Sequence, residues 1–491
     1  MGSKTFIGDI PEIVENILNN LNNEVYSLYS CTLVSRHWCK MSIPILWQDP
    51  FSFVRTPSFI SRYFSSLGED EKLSLITIGI NVEFSKTLFE YARFLKVFDL
   101  SRLEFKVGKW INFQLENSRN HIINCIINLL FIESGVTLHK LGLCFSRSIA
   151  LKPEIIYTLR FSQIQHLSLG NISENNVEST ITLLRAVAKY TTKIKTLKID
   201  DFNSEHKPRI FKALIYVIKS QKQLRLFGLF GYDYPTEFYG IISALNFHKN
   251  TLQEVMMVDC DYSEEIEVLK NCTNLETLRI RYCNYMIPLK ILENNKISTF
   301  DMVECQIDAQ ELALILEKSG GLLQRLKFES EDEEFQKEPL LIKSFCSNIT
   351  YLSIQCFGFS TQLVELIGSL QKLQFLSLWC DVDNMPKEVL NIRIMQFSEI
   401  LPLTLQYFDL GNICLEPYVD VLLKHCNAPL KKILFYRLNK KISKALIKYY
   451  KRNKTLNYVG VYRYLDLDYN TRKEMEAYVE LVPDKHIVVN M

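Results

Sequence analysis

The residues best equipped for metal, thiol or proton chemistry in this chain are its thirteen cysteines and eight histidines. No two cysteines stand at Cys-x-x-Cys spacing, so a zinc ribbon, a RING-type site and a dithiol redox motif all lack their ligand frame. No two histidines are four residues apart, and His37, His139 and His166 fall inside helices or repeat units, where packing or hydration is the expected state. Glycine is scarce, at 17 residues. The phosphate-cradling Gly-x-x-x-x-Gly-Lys, the dinucleotide Gly-x-Gly-x-x-Gly, the Gly-x-Ser-x-Gly elbow and His-Glu-x-x-His are all missing. The expectation is a non-catalytic protein with no cofactor and no metal ion.

Composition narrows the class further. The 491 residues carry 57 basic and 55 acidic side chains, a formal charge of +2, with 47% hydrophobic and 23% charged residues. Such a chain can bury a large core, and it lacks the strongly basic balance that phosphate contacts usually leave, so no nucleic acid is expected as partner. Met1-Gly2-Ser3-Lys4 runs into polar sequence without an apolar signal core, and Phe6 stands where myristoylation of Gly2 expects Ser or Thr. The apolar stretch from His121 to Ile132 is broken by Asn124 and Asn128; it falls short of the ~20 residues a span needs. An intracellular protein, cytoplasmic or nuclear and without a membrane anchor, is expected.

The strongest signal is a repeat. The pattern apolar-x-x-apolar-x-apolar begins at Leu138, Ile164, Ile194, Leu224, Leu252, Leu275, Ile297, Leu323, Ile349, Leu373, Leu405, Leu430 and Leu456. These thirteen starts lie 22 to 32 residues apart, with a mean of 26.5. Leu73 and Leu95 open earlier, less regular copies. The period and pattern are those of leucine-rich repeats, whose ninth position is Asn or Cys. Cys260, Cys283 and Cys305 occupy that position in three consecutive repeats; Asn171, Cys356, Cys380 and Asn412 fall one residue earlier in others. A side chain there turns inward towards backbone groups, so these thiols are expected to be structural.

Helical spacing fills the intervals: Ile181, Leu184, Val187 and Ala188; Phe211, Leu214, Ile215 and Ile218; Leu312, Ile315 and Leu316; and a basic helix from Ile442 to Tyr450. Each repeat is therefore a strand plus a helix, and neighbours must stack to bury both faces. The expected fold is α/β. Residues 73–491 form a solenoid with parallel strands on a concave face, helices on a convex face and a C-terminal cap, and residues 51–72 act as connector. The acidic run Glu329-Ser330-Glu331-Asp332-Glu333-Glu334 reads as a solvated loop, and the ten Lys and Arg between 431 and 454 as a solvated cap.

Residues 1–50 are a different module. Asp9-Ile10-Pro11-Glu12 is a helix start, followed by Ile13, Ile17 and Leu21 with Val14 and Leu18 widening the stripe. Two more helices are expected near Glu24–Val34 and His37–Trp47. This segment, IPEIVENILNNL followed by SLYSCTLVSRHWCKMSIPILW, resembles an F-box, with a core of about 9–47. Ile10-Pro11, Glu12, Ile17, Leu21, Leu28, Val34-Ser35-Arg36, Trp38 and Leu46-Trp47 occupy the signature positions, though the opening is one residue short. Together with the repeats, the chain looks like an F-box/leucine-rich-repeat protein, most similar to expanded fungal families. That resemblance implies a substrate-recognition subunit of an SCF ubiquitin ligase. Its F-box would dock on the S-phase kinase-associated adaptor, and through it on cullin and RING subunits that supply the chemistry; its repeats would bind a protein substrate. A leucine-rich-repeat scaffold acting outside ubiquitination is the alternative.

Two sets of binding residues follow. For the adaptor they are Ile10, Pro11, Ile13, Ile17, Leu28, Val34 and Trp38, although Trp38, like Trp47, also suits a role in packing the helices together. For the substrate they come from positions three, five and seven of the repeats, which alternate onto the strand's open side. Seven aromatics stand there in the last five repeats, Tyr351, Phe375, Trp379, Tyr407, Tyr436, Tyr458 and Tyr462, against Phe230 alone in the eight repeats before. They would form either a binding patch or a surface covered by residues 463–491. Arg279, Arg281, Arg325 and Lys327 occupy the same face, interspersed with Glu254, Asp301 and Glu329. They would either accept an acidic or phosphorylated segment or neutralise one another.

Overall fold

The computed structural model describes the chain apart from residues 1–10, 22–23, 53–58, 65–67, 78, 81–86, 112–118, 134, 145–159, 171, 173–175, 201–206, 232–237, 261–262, 284–295, 306–315, 319, 330–341, 345, 383–384, 412–413, 484–486 and 488–491. The acidic run after Glu329, the expected stripe at Leu312 and Ile315, and Ile10 therefore lie outside the described residues. The chain divides into two compact units, Met1–Tyr232 with Tyr239–His248, and Asp233–Phe238 with Lys249–Met491.

The first unit opens with three helices, α1 (Pro11–Asn20), α2 (Val25–Thr32) and α3 (Arg36–Leu46). The Ser35 side chain caps α3 by accepting from the Trp38 N–H. Val14, Leu18, Leu28 and Ile45 form the small core, with Leu21, Cys31, Trp38, Met41 and Leu46 packed around it. Trp47, just past α3, stacks on Tyr91 at 4.0 Å and meets Tyr63 edge-on at 5.5 Å, which ties the helices to the segment that follows. The stretch at Leu73 that resembles an early strand lies in a helix, Glu69–Thr77. The first strand comes at the second irregular copy: β1 (Val97–Asp99). It is followed by β2 (Lys140–Cys144), β3 (His166–Gly170), β4 (Thr196–Asp200) and β5 (Leu226–Phe230). The helices Val177–Tyr190 and Lys207–Ser220 carry the apolar stripes read from the sequence.

The second unit contains β6 (Glu254–Val258), β7 (Thr277–Arg281), β8 (Thr299–Val303), β9 (Arg325–Glu329) and β10 (Tyr351–Gly358). After them come β11 (Phe375–Asp381), β12 (Tyr407–Leu410), β13 (Lys432–Leu438), β14 (Tyr458–Leu465) and β15 (Glu480–Pro483). In each unit the strands are parallel and follow chain order across the sheet. Both units have the α/β leucine-rich-repeat solenoid architecture.

Burial alternates along β7 and β9, whereas every residue of β8 and β12 is buried. Leu278 and Ile280, Leu326 and Phe328, and Leu352 and Ile354 are fully buried on the helix side. At the strand ends, Asp259, Tyr282 and Glu304 adopt positive φ (51°, 56° and 46°). Each donates its N–H to the next strand, to Arg281, Val303 and Glu329 respectively. The left-handed residue turns the following cysteine inward, where Cys260, Cys283 and Cys305 donate their thiols to the carbonyls of Val258, Arg281 and Val303 at 3.2–3.3 Å. Hydrogen bonding to Cys283 together with burial drives the Cys305 thiol far above its ordinary pKa, and burial alone pushes Cys346 up to about 12. Thiols held protonated in this way are poor nucleophiles and poor ligands.

Candidate functional site

The helical module sorts its seven expected adaptor residues into three groups. Ile13 and Ile17 are exposed, 39% and 43%, on the stripe of α1 next to Val14 and Leu18, and Val34 at the α2–α3 corner is 64% exposed. Tyr26, Tyr29 and Leu33 on and after α2 are exposed as well, and were not singled out in the sequence because their spacing follows no family position. Leu28 is a correction: it is 1% exposed and belongs to the module's core. Three helices this short can close a core only by spending one apolar residue of α2 on it. Trp38 also packs against that core, on its edge. Ile10 and the side chain of Pro11 lie outside the described residues.

The repeats bring together the second set on the open face of the second unit. Arg279 and Arg281 do not form a free cationic patch. Asp301, fully buried, sits between them and pairs with Arg281, while Arg279 pairs with Glu254. Adjacent register explains this: Arg279 lies opposite Asp301 across β7 and β8. A buried carboxylate stays charged only with such partners, so both arginines are committed within the sheet.

The aromatic patch is corrected in the same way. Tyr351, Phe375 and Tyr407 occupy one register row on β10, β11 and β12. Their rings stack face to face, Tyr351 on Phe375 at 4.3 Å and Phe375 on Tyr407 at 3.8 Å, and all three are at least nine-tenths buried. Parallel strands put identical positions ~4.8 Å apart, which is close to stacking distance, so rings at one position of successive repeats satisfy each other. Ile487, Leu434, Tyr462 and Val482 pack against the stack; of the C-terminal segment expected to cover these rings, Ile487 reaches them. Gly460 leaves the room it needs, since a Cβ there would lie 2.5 Å from Ile487 Cγ2 and 2.7 Å from Leu434 Cδ1. Trp379 remains 37% exposed, Tyr458 equally so, and Tyr436 is half-buried.

Below the stack lies a polar node that the sequence reading missed. Asp409 accepts from Ser377 Oγ (3.0 Å), the Gly411 N–H (2.8 Å) and Tyr462 Oη (3.4 Å). No Lys or Arg pairs with it among the described residues, and burial raises its pKa. Its signal was present: a lone Asp at position five beside Ser377 at the same position of the preceding strand.

Both ends of the stack are flanked by cations. The Arg325 guanidinium lies 4.5 Å from the Tyr351 ring centre, and Lys432 occupies the next register place beyond Tyr407. Arg325, Tyr351, Phe375, Tyr407, Lys431 and Lys432 line one recess of about 280 Å³, together with Thr350, Gln374 and Gln406. Among the described residues no group of His, Cys, Asp and Glu could hold a metal ion, and no helix is long and apolar enough to cross a membrane.

No family model matches the chain and no curated protein matches it. Solved structures with a similar fold include a chain of the Rad7 and Elc1 complex in yeast, with a TM-score of 0.43 and 12% identity, covering 78% of this chain and 96% of that one. A leucine-rich-repeat protein of Leptospira interrogans, LIC12759, has a TM-score of 0.33 and 13% identity over 79% of this chain and 93% of its own. An internalin (inlF) from Listeria monocytogenes has 0.32 and 12% over 88% and 98%. The likeness is one of repeat architecture and carries no site or partner.

Proposed function

We propose that the chain is a non-catalytic substrate receptor of an SCF-type ubiquitin ligase. In this reading the helical module docks on the S-phase kinase-associated adaptor, cullin and RING subunits join through that adaptor, and the open face of the repeats holds a protein substrate. The observation that carries the reading is the division of labour in the helical module. Val14, Leu18, Leu28 and Ile45 close its core, yet Ile13, Ile17 and Val34 stay exposed at F-box signature helices. Apolar side chains clustered in the open on a module this small mark a docking face.

Interfaces concentrate their energy in a few anchors, each worth ~2 kcal/mol or more on truncation. Ile13→Ala with Ile17→Ala should therefore lower adaptor capture by more than a hundredfold, while circular dichroism of the repeats stays unchanged because neither residue belongs to the core. Undiminished capture by the double variant would overturn the proposal. Leu28→Ala is the contrasting control: it should lower the melting temperature of the module whether or not adaptor is present.

A further inference from the structure

The cations left over on the open face select a ligand. Arg279 and Arg281 are neutralised inside the sheet, but Arg325 has no carboxylate partner among the described residues, and neither have Lys431 and Lys432. Arg325 and Lys432 stand at the two ends of a single register row, Arg325–Tyr351–Phe375–Tyr407–Lys432, on five consecutive strands. The ring faces in this row are consumed by stacking, with Arg325 against Tyr351, so the recess beside the row offers ring edges and polar groups. Those groups include the amides of Gln374 and Gln406. No acidic residue lines the recess.

We propose that this row is a binding site for an extended acidic peptide segment laid across the strands, with one Glu or Asp carboxylate on Arg325 and a second on Lys432. The proposal rests on the substrate-receptor reading and names the chemistry of its substrate. Four inter-strand steps of ~4.8 Å separate the two cations by about 19 Å, and an extended peptide covers that span in about six residues. A guanidinium over a ring can still turn N–H groups outward to the two oxygens of a carboxylate. Lys327, the nearest further cation on β9, faces Asp301 across the register and Glu329 on its own strand. The Arg325 end thus presents one net positive charge, matched to a carboxylate monoanion rather than to a phosphate dianion. Between the ends, the ligand's backbone carbonyls can meet the two amides.

The test uses the full chain and fluorescein-labelled peptides with two glutamates separated by five uncharged residues, read by anisotropy in low salt. The wild-type protein should bind this peptide at least tenfold more tightly than the same peptide with both Glu replaced by Gln, and than one whose glutamates are two residues apart. Raising the salt should weaken binding. Arg325→Gln and Lys432→Gln should each weaken it at least fivefold; Lys432 is exposed enough that its variant serves if Arg325→Gln unfolds. Equal binding of the Glu and Gln peptides, insensitivity to spacing, or wild-type affinity in both variants would overturn the proposal. A phosphoserine peptide that binds tenfold more tightly than the Glu peptide would overturn the carboxylate assignment. Adaptor capture by the wild-type chain is measured alongside, and absence of capture with peptide binding intact would strike the receptor reading alone.

Discussion

Asp409 shows how single residues on the open face trade stability for a specific arrangement. Its carboxylate is nearly buried, takes three hydrogen bonds and pairs with no cation among the described residues, and burial lifts its pKa above the ordinary 3.8. The folded state therefore holds the proton more tightly than the unfolded chain does. Stability contributed through this group is fully present below about pH 3.8 and is lost as the pH rises through the raised value. Asp409→Asn keeps an oxygen for the Gly411 N–H and removes the charge. The variant should match the wild type in melting temperature near pH 3.5, exceed it increasingly as the pH rises through the raised pKa, and keep a constant margin above that value. A difference that stays constant from pH 3.5 to pH 7 would mean that the carboxylate is not penalised by burial. Asp301 is the opposite case: equally buried, but flanked by Arg279 and Arg281, it is a charge that its neighbours require.

At the scale of elements, the repeat spacing made every strand from β2 to β14 legible, because a six-residue pattern recurring every 22 to 32 residues has few other physical meanings. Orientation was harder. Helix α1 carries two apolar stripes, Ile13–Ile17 and Val14–Leu18, and only packing decides that the second faces in. The aromatic bias of the last repeats was also visible, but periodicity along one strand does not reveal that Tyr351, Phe375 and Tyr407 fall in register and stack across three. A residue such as Ile487, whose partners are more than twenty residues away, leaves no local trace at all. The end of the sheet tests this packing. Gly460→Ala should cost ~1–3 kcal/mol in urea unfolding, as overpacking does, because its Cβ would strike Ile487 and Leu434. In Ile487→Ala the same change should cost measurably less, and strictly additive effects would show that Ile487 does not sit over Gly460 in solution.

Over the whole molecule, stability is a property of neighbours. Each repeat touches those beside it, and such arrays behave as nearly one-dimensional chains of coupled units. Leu378→Ala removes a fully buried side chain from β11 and should cost ~2–5 kcal/mol. Hydrogen exchange should accelerate in β10, β11 and β12 and stay at wild-type rates in β3 and β4; uniform acceleration would mean that the array unfolds as one cooperative body. The cysteine ladder supplies a second way to watch this. Cys260, Cys283, Cys305, Cys346, Cys380 and Cys426 are buried, and none forms a disulfide. Their thiols can be alkylated only when the surrounding repeat opens and water reaches them. Those that fasten strand ends, Cys260, Cys283 and Cys305, are in effect a row of clocks, one for each of three consecutive repeats. The order in which they become labelled would record where along the chain the first breath of unfolding is drawn.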